Sequence, residues 1–252
     1  MVSCDGLVYW PEAEFCGLKS LKKISLHSCN KLVGPLPLPL SSSSSGDGEL
    51  LPNLEELDIE HCDGLLELPK LPTSLRSLYV GYCPKINSLK EGLRHATSLE
   101  SVHISGCLSL TSLPVDLGLT ALKRMYIREL PGLKSLPQGL GQLTALESLD
   151  ISGCKELSSL PEGLQGLEAL QNLSVSHCPL LSSLPEGLQR RLRSLQYLHI
   201  EGCPHLERQC KRGGPYWDLI SGIPHTKILS ERRGNFSTFL PSLSCLGRPS
   251  TV

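Results

Sequence analysis

Cysteine is the most reactive residue type that recurs at a regular spacing in this sequence. Seven of the eleven cysteines occur once per repeated unit, directly after a short apolar segment: Cys29, Cys62, Cys83, Cys107, Cys154, Cys178 and Cys203. Thiols in such numbers can ligate metals, form disulfides or pack as small apolar groups. We favour a buried column of reduced thiols, because Leu130 takes this place in one unit and has no thiol chemistry. The odd total also argues against a framework of paired disulfides.

Carboxylates and histidines also cluster where a metal ion has to be considered. Three carboxylates alternate along one short segment, Glu56, Asp58 and Glu60, but no coordinating loop accompanies them, so a calcium site is not expected. The neighbours His61 and Cys62 point in opposite directions along the chain, and the second such pair, 177–178, lies several units away. That arrangement disfavours zinc. We therefore predict no metal site and no cofactor.

The sequence carries no motif for catalysis or nucleotide binding. It contains neither the GxSxG turn of serine hydrolases nor the GxxxxGK[ST] loop that cradles phosphates. The formal net charge is −1, so no general polyanion partner is indicated. No apolar run reaches the roughly 18 residues of a membrane span. These observations predict a non-catalytic protein without nucleic-acid, membrane or small-molecule partners.

A leucine repeat supplies the elements that position these residues. One unit reads Leu146-x-x-Leu149-x-Ile151-x-x-Cys154-x-x-Leu157-x-x-Leu160-Pro161, and every anchor recurs 24 positions later, from Leu170 to Pro185. The segment SLDIS at 148–152 alternates polar and apolar side chains, which predicts a short strand with one buried face. A period in the twenties indicates a stacked solenoid, because one unit cannot bury its leucines without neighbours.

These units predict an α/β leucine-rich-repeat solenoid, a curved right-handed coil with a concave parallel sheet and a mostly irregular or 3₁₀ convex side. Leu-Pro-x-Gly-Leu segments between the strands favour 3₁₀ turns, because Pro removes a donor and Gly permits tight turns. Residues 1–17 are predicted to be an N-terminal cap or a remnant repeat, and 18–210 to hold about eight repeats with a loop insertion at 35–48. Residues 211–229 are predicted to form a C-terminal cap with a short helix near Trp217, and 230–252 a disordered tail.

Polar residues that flank the buried strand positions should line the concave sheet. Two groups stand out, the acidic trio at 56–60 and the segment that contains Arg124, Tyr126 and Arg128. Tyrosine and arginine are enriched at the hot spots of protein interfaces. The predicted protein-binding patch is Tyr79, His103, Arg124, Tyr126, Arg128 and Asp150. The alternative is an ordinary solvated sheet face.

The units and the ending together resemble a known family. The LxxLxIxxCxxLxxLP units are similar to the repeats of plant intracellular immune receptors of the nucleotide-binding, leucine-rich-repeat class. The segment from Trp217 to Ile228 resembles the W-x-x-I-x-x-I-P motif that often closes such domains, and LVYWP at 7–11 resembles another of their segments. The likeness covers about residues 7–228.

This resemblance implies a recognition domain that senses a pathogen effector or a guarded host protein, or that restrains the ATPase module of its parent receptor. Because the phosphate loop of that module is missing, we expect a C-terminal piece of a receptor. The beginning of the sequence lacks the basic and apolar regions of a signal peptide, and the many reduced thiols predict the cytoplasm or nucleus. The alternative function is a substrate adaptor of a ubiquitin ligase, a class that also uses cysteine-bearing leucine repeats.

Overall fold

Nine short parallel strands build the protein, and each forms where apolar side chains alternate with polar ones. In a computed structural model, residues 6–15, 17–36, 50–114, 118–192 and 195–230 are described. The strands are β1 (Lys23–His27), β2 (Glu56–Glu60), β3 (Ser77–Gly81), β4 (Ser101–Ser105), β5 (Arg124–Arg128), β6 (Ser148–Ser152), β7 (Asn172–Ser176), β8 (Tyr197–Glu201) and β9 (His225–Leu229). Their second and fourth residues point inward in β1–β8.

The strands pair in sequence order in one open sheet, and every neighbouring pair is parallel and in register. Residues at the same place in successive units are therefore direct neighbours across the sheet, as Leu149 on β6 and Leu173 on β7 are. This topology confirms the predicted solenoid, in which each unit forms one coil. A given coil packs mainly against the coils before and after it.

The hydrophobic core is a stack of equivalent layers. The inward-facing residue at the second strand position is at most 1% exposed from β2 to β8: Leu57, Leu78, Val102, Met125, Leu149, Leu173 and Leu198. The first coil is less well covered, since its anchor Leu18 is 46% exposed. Burial of one such side chain contributes roughly 1.5–3 kcal/mol, so repetition of the layer supplies most of the driving force.

The side opposite the sheet is made of short helices and irregular backbone, as the Leu-Pro-x-Gly-Leu segments predicted. The 3₁₀ helices η1 (Gln138–Gln142) and η2 (Glu162–Gly166) both follow such a proline, and they stack directly on each other. The α-helices here are α2 (Lys90–Leu93) and α3 (Glu186–Arg191). Isolated parallel bridges, such as that between Ser135 and Ser159, tie adjacent coils together along this side.

A left-handed residue turns the chain out of each strand from β1 to β8. It lies immediately before the cysteine position and has φ between 51° and 70° in all eight coils: Ser28, His61, Tyr82, Gly106, Glu129, Gly153, His177 and Gly202. Only three of the eight are glycine, the residue that adopts this conformation without steric cost. The other five coils therefore carry backbone strain at the same point.

The chain ends differ from the sequence prediction at one point. The leucine pattern stops near Lys211, yet the sheet continues, because β9 adds a ninth strand to the eight that were predicted. Helix α1 (Glu12–Phe15) precedes β1, and α4 (Pro204–Cys210) and α5 (Trp217–Ile220) precede β9. The helix predicted near Trp217 is present as α5, where Trp217 is 39% exposed, whereas Tyr216 immediately before the helix is buried.

The remaining domain boundaries stay predictions. Most of the 35–48 insertion and nearly all of the 230–252 tail lie outside the described residues. No helix in the described part of the chain is long and apolar enough to cross a bilayer, and the longest, α4, has seven residues.

Candidate functional site

The outward-facing side chains of the sheet form one surface, which we call the open face. Each strand contributes its first, third and fifth residues, so the register arranges them in three rows across the sheet. The first row is Lys23, Glu56, Ser77, Ser101, Arg124, Ser148, Asn172, Tyr197 and His225. The middle row is Ser25, Asp58, Tyr79, His103, Tyr126, Asp150, Ser174, His199 and Lys227. The last row runs from His27 to Leu229.

Three aromatic rings follow one another in the middle row, on β3, β4 and β5. The rings of Tyr79 and His103 meet edge to face, with centroids 4.8 Å apart, and those of His103 and Tyr126 lie 5.4 Å apart. Pairs at these distances attract each other by about 0.5–1.5 kcal/mol beyond their buried area. We call Tyr79, His103 and Tyr126 the aromatic stripe. It is a fixed, partly exposed ridge in the middle of the open face.

Arg128 extends the aromatic stripe with a charge. Its guanidinium lies 5.4 Å from the ring centroid of Tyr126, and it donates two hydrogen bonds to the carboxylate of Asp150, at 2.9 and 3.3 Å. Burial disfavours the charged guanidinium, but the hydrogen bond and the charge of Asp150 outweigh this, so the pKa of Arg128 is raised. Arg128 is therefore held in place and largely neutralised before any partner arrives.

His103 is neutral in the middle of the aromatic stripe. Burial, and secondarily the charge of Arg128, lowers the pKa of His103 to about 4. Its Nε2 atom is inaccessible and has no hydrogen-bond partner among the described residues. An imidazole in this state acts as a flat, polarisable ring rather than as a cation.

The six residues of the predicted patch are neighbours, though not all in contact. Tyr79, His103, Tyr126 and Asp150 are consecutive in the middle row, and Arg128 touches the last two of them. Arg124 lies in the first row, is exposed, and forms no salt bridge within the described residues. The spacing of the repeats was enough to predict this arrangement. The role of the six in binding stays a prediction.

The acidic trio on β2 is partly neutralised by β1, which the sequence interpretation missed. His27 lies 3.1 Å from a carboxylate oxygen of Glu60 and 3.5 Å from one of Asp58, and Lys23 is 2.6 Å from Glu56. The missed signal was the register, because Lys23 and His27 hold the same strand positions as Glu56 and Glu60. Burial first, and then repulsion from Glu60, raises the pKa of Asp58 despite the nearby His27.

A second aromatic pair lies beside the open face and was also missed. The rings of His61 and Tyr82 stack with centroids 4.9 Å apart and planes 8° from parallel. Both residues occupy the left-handed position after a strand. In the next coil that position is Gly106, where a Cβ atom would come within 2.5 Å of the Tyr82 ring. The left-handed position thus presents side chains as well as turning the chain.

Leucine-rich repeats are also recognised by comparison with known families. The family model described as Leucine Rich Repeat matches residues 145–167 and 169–190, the coils that contain β6 and β7. The same pattern of anchors and the same parallel pairing continue through the rest of the sheet. The chain folds as a leucine-rich-repeat solenoid.

One solved leucine-rich-repeat domain shares this fold at low sequence identity, and two further structures are similar with TM-scores under 0.5. The leucine-rich repeat domain of the type III effector XopL is 23% identical, covers 82% of this chain and 75% of its own length, and has a TM-score of 0.57. The Toll–Spatzle complex of Drosophila is 18% identical over 77% of this chain and 28% of its own, with a TM-score of 0.48. A leucine-rich-repeat protein of Leptospira interrogans is 20% identical over 80% of this chain and 60% of its own, with a TM-score of 0.42. These similarities concern the fold alone, and no curated protein matches the sequence.

The cysteines of the leucine-rich repeats form a regular internal column. The eight cysteines in the described residues, which are the seven of the repeats and Cys210, are buried and not joined by disulfides. Each thiol of the seven lies 3.3–3.7 Å from the carbonyl oxygen two residues earlier, as for Cys83 and Gly81. Burial raises the pKa of Cys107 to about 11 and that of Cys210 to about 12, so these two thiols stay protonated.

A protonated thiol neither binds metals nor attacks disulfides well, so Cys107 and Cys210 suit packing and weak hydrogen bonding. Cys154 differs, because a hydrogen bond with the thiol of Cys178 lowers its pKa. Among the described residues, no group of three His, Cys, Asp or Glu side chains is placed to hold a metal ion. Leu130 fills the cysteine position of the fifth coil and is fully buried there. The column is built for small apolar side chains.

Proposed function

We propose that this leucine-rich-repeat chain is a protein-recognition domain of a plant disease-resistance protein. It senses a pathogen effector or a guarded host protein through the open face, or contacts the ATPase module of a parent receptor there, and it acts in the cytoplasm or nucleus. Leucine-rich-repeat domains generally bind proteins, which supports the class of function. The buried thiols of the repeats suit a reducing compartment. The ending from Trp217 to Ile228 supports the receptor family.

The aromatic stripe and its two arginines are the observation that carries this proposal. Tyr79, His103 and Tyr126 are large, already ordered by ring contacts, and partly exposed. A partner that covers them gains apolar burial and loses little side-chain entropy of this chain. Arg124 adds an exposed charge at the border of the aromatic stripe. Clusters of ordered tyrosine and arginine are typical of interface hot spots.

Charge reversal on the open face tests the proposal. The probe is a display library of secreted proteins from plant pathogens, and its binders are measured against the whole chain. We expect the double variant Arg124→Glu/Arg128→Glu to weaken binding at least about tenfold, because it places two negative charges beside the aromatic stripe. Tyr126→Ala, which leaves the pair between Arg128 and Asp150 intact, should weaken binding to a similar degree.

The matched control is Lys134→Glu/Lys155→Glu, which reverses two exposed charges away from the open face. Thermal unfolding of each variant shows that the fold is kept. A binder whose affinity is unchanged in the arginine double variant and in Tyr126→Ala would remove this surface as the recognition site. Loss of binding in the lysine variant as well would indicate a nonspecific charge effect.

A further inference from the structure

One strip of the open face has opposite charges at its two ends and small residues between them. The first row runs from Glu56 on β2 through Ser77 and Ser101 to Arg124 on β5, and the four residues are consecutive partners in the register. Glu56 and Arg124 are exposed, whereas the two serines are half-buried. We call these four residues the first-row strip.

Longer side chains border the first-row strip on both sides. The aromatic stripe lies along one side. Along the other side, one residue before each strand, Arg76 and Lys123 both bind the carboxylate of Glu100, at 2.7 and 3.0 Å. Because serine is much shorter than these neighbours, the first-row strip is a shallow trough that crosses the strands. Its floor offers hydroxyl groups that can donate or accept hydrogen bonds.

The end of the first-row strip at β2 has unsatisfied negative charge. Glu56 is paired with Lys23, but both side chains are more than half exposed, so this pair is weak and easily exchanged. The carboxylate of the neighbouring Asp58 is repelled by Glu60 and Glu56, although its Oδ1 atom is itself buried. An additional cation placed here would reduce that repulsion. At the other end, Arg124 has no ion-pair partner within the described residues.

The last row repeats the same charges but satisfies them internally. It reads Glu60, Gly81, Ser105 and Arg128 across the same four strands. Here Glu60 is held by His27, and Arg128 is held by Asp150. The space above Gly81 is filled by Tyr79, whose ring would lie 2.5 Å from a Cβ atom at that position. The first row differs because Arg124 has no ion-pair partner within the described residues and Glu56 is paired only with the exposed Lys23.

The separation of the two charged ends defines the spacing of complementary charges. Glu56 and Arg124 lie three strand-to-strand steps apart, which is about 14 Å at about 4.8 Å per step. An extended polypeptide advances about 3.3–3.6 Å per residue, so it covers this distance in about four residues.

We propose that the first-row strip binds an extended segment of a partner protein that carries a lysine or arginine and, about four residues away, an aspartate or glutamate. The basic residue lies against Glu56 and Asp58, and the acidic residue pairs with Arg124. The residues between them cross Ser77 and Ser101, and at least one of their side chains packs on the aromatic stripe. This inference rests on the proposed function, since it names the chemistry of the partner that the open face recognises.

A phage-displayed library of random dodecapeptides, selected on the whole chain, tests this inference. We expect enrichment of peptides with one basic and one acidic residue three to five positions apart. Selection on the Arg124→Glu variant should replace the acidic residue with a second basic one at the same spacing. Peptides selected on the unaltered chain should lose about tenfold in affinity for that variant, because an attraction becomes a repulsion.

The matched control is Arg190→Glu, the same change of charge on α3, which lies away from the sheet. It should select the same peptides as the unaltered chain, with affinities within about twofold. The inference is overturned if the spaced pair is not enriched, or if Arg124→Glu selects the same pair. Selected peptides that lack the pair but lose binding in Tyr126→Ala would leave the proposed function standing and overturn only this inference. A pathogen protein whose binding survives both Tyr126→Ala and the arginine double variant would contradict the proposed function instead.

Discussion

The coils that contain β3–β5 and those that contain β6–β7 have similar buried residues but different residues on the open face. Their inward-facing residues are equally buried, as Met125 and Leu149 are, each 1% exposed. On the open face, however, the first group carries the aromatic stripe and two arginines, whereas the second carries mainly serine and asparagine besides Asp150. The hydroxyl of Ser176 even donates a 2.9 Å hydrogen bond to that of Ser152.

The interior residues are those that the fold requires, whereas the open face of the β3–β5 coils carries large residues that the fold does not require. The family model matches the coils of β6 and β7, whose open face is plain. Layers of leucine must cover each other, so inward positions are restricted to similar apolar residues in every coil. Outward positions meet only solvent and their neighbours in the row. Bulky residues that recur there without a structural requirement are the best indicators of a binding surface.

The contact between the backs of the β5 and β6 coils, where η1 stacks on η2, is where a small change should have the largest effect. A Cβ atom on Gly141 of η1 would lie 1.9 Å from the carbonyl oxygen of Gly163 in η2. Gly141→Ala should therefore push these two backbones apart and lower the free energy of unfolding by about 1–3 kcal/mol. The measurement is the midpoint of chemical denaturation, with Gly222→Ala as control, because no atom lies within 4 Å of the Cβ position there. Equal midpoints for the two variants would mean that the backs are not closely packed.

An acid-sensitive residue lies on the open face of coils β3–β5. Because the folded-state pKa of His103 is lowered to about 4, the unfolded state takes up more protons between that value and the ordinary pKa of about 6.5. The contribution of His103 to the free energy of unfolding is complete above about pH 6.5 and is lost as the pH falls towards 4. Allowing for partial exposure, we expect a loss of about 1 kcal/mol across this window.

The variant His103→Gln should remove that part of the pH dependence, measured as the difference in unfolding free energy between pH 7 and pH 4.5. His225→Gln makes the same substitution at an exposed position on β9 and should retain this pH dependence. The raised pKa of Asp58 has the opposite effect on the pH dependence of the unfolding free energy. Asp58 is unchanged in both variants, so its contribution cancels when the two are compared. An unchanged pH dependence in His103→Gln would show that folding does not lower the pKa of His103.

The strands and the row neighbours were predictable because both follow from periodicity. Alternation placed Arg124 and Tyr126 outward, and the 24-residue period placed Tyr126 beside Asp150. The contacts of long side chains were not predictable, because they depend on the rotamer that each side chain adopts. Arg128 turns towards Asp150, whereas Arg124 forms no salt bridge within the described residues. Strand β9 was missed because its burial does not alternate. Without a covering neighbour, the terminal strand has no need of the leucine pattern that identifies the others.

The left-handed position after each strand differs between the adjacent coils of β5 and β6. Glu129 ends β5 with φ 52°, and Gly153 ends β6 with φ 70°; the two make the same backbone hydrogen bond to the next coil, at 2.7 and 2.9 Å. A side chain at such a φ costs about 1–2 kcal/mol, while glycine costs about 0.5–1 kcal/mol in lost chain entropy. Glu129→Gly should therefore stabilise the protein by about 0.5–1 kcal/mol.

The reciprocal variant Gly153→Ala should destabilise the protein by about 1 kcal/mol or slightly more, because the new Cβ atom also comes within 3.3 Å of Glu129. The test measures the denaturation midpoint of each variant. We expect the midpoint to rise in Glu129→Gly and to fall in Gly153→Ala. The same sign in both would mean that side-chain contacts of Glu129 outweigh the backbone strain. The open face of the β5 coil would then be stabilised by the very residue that strains its turn.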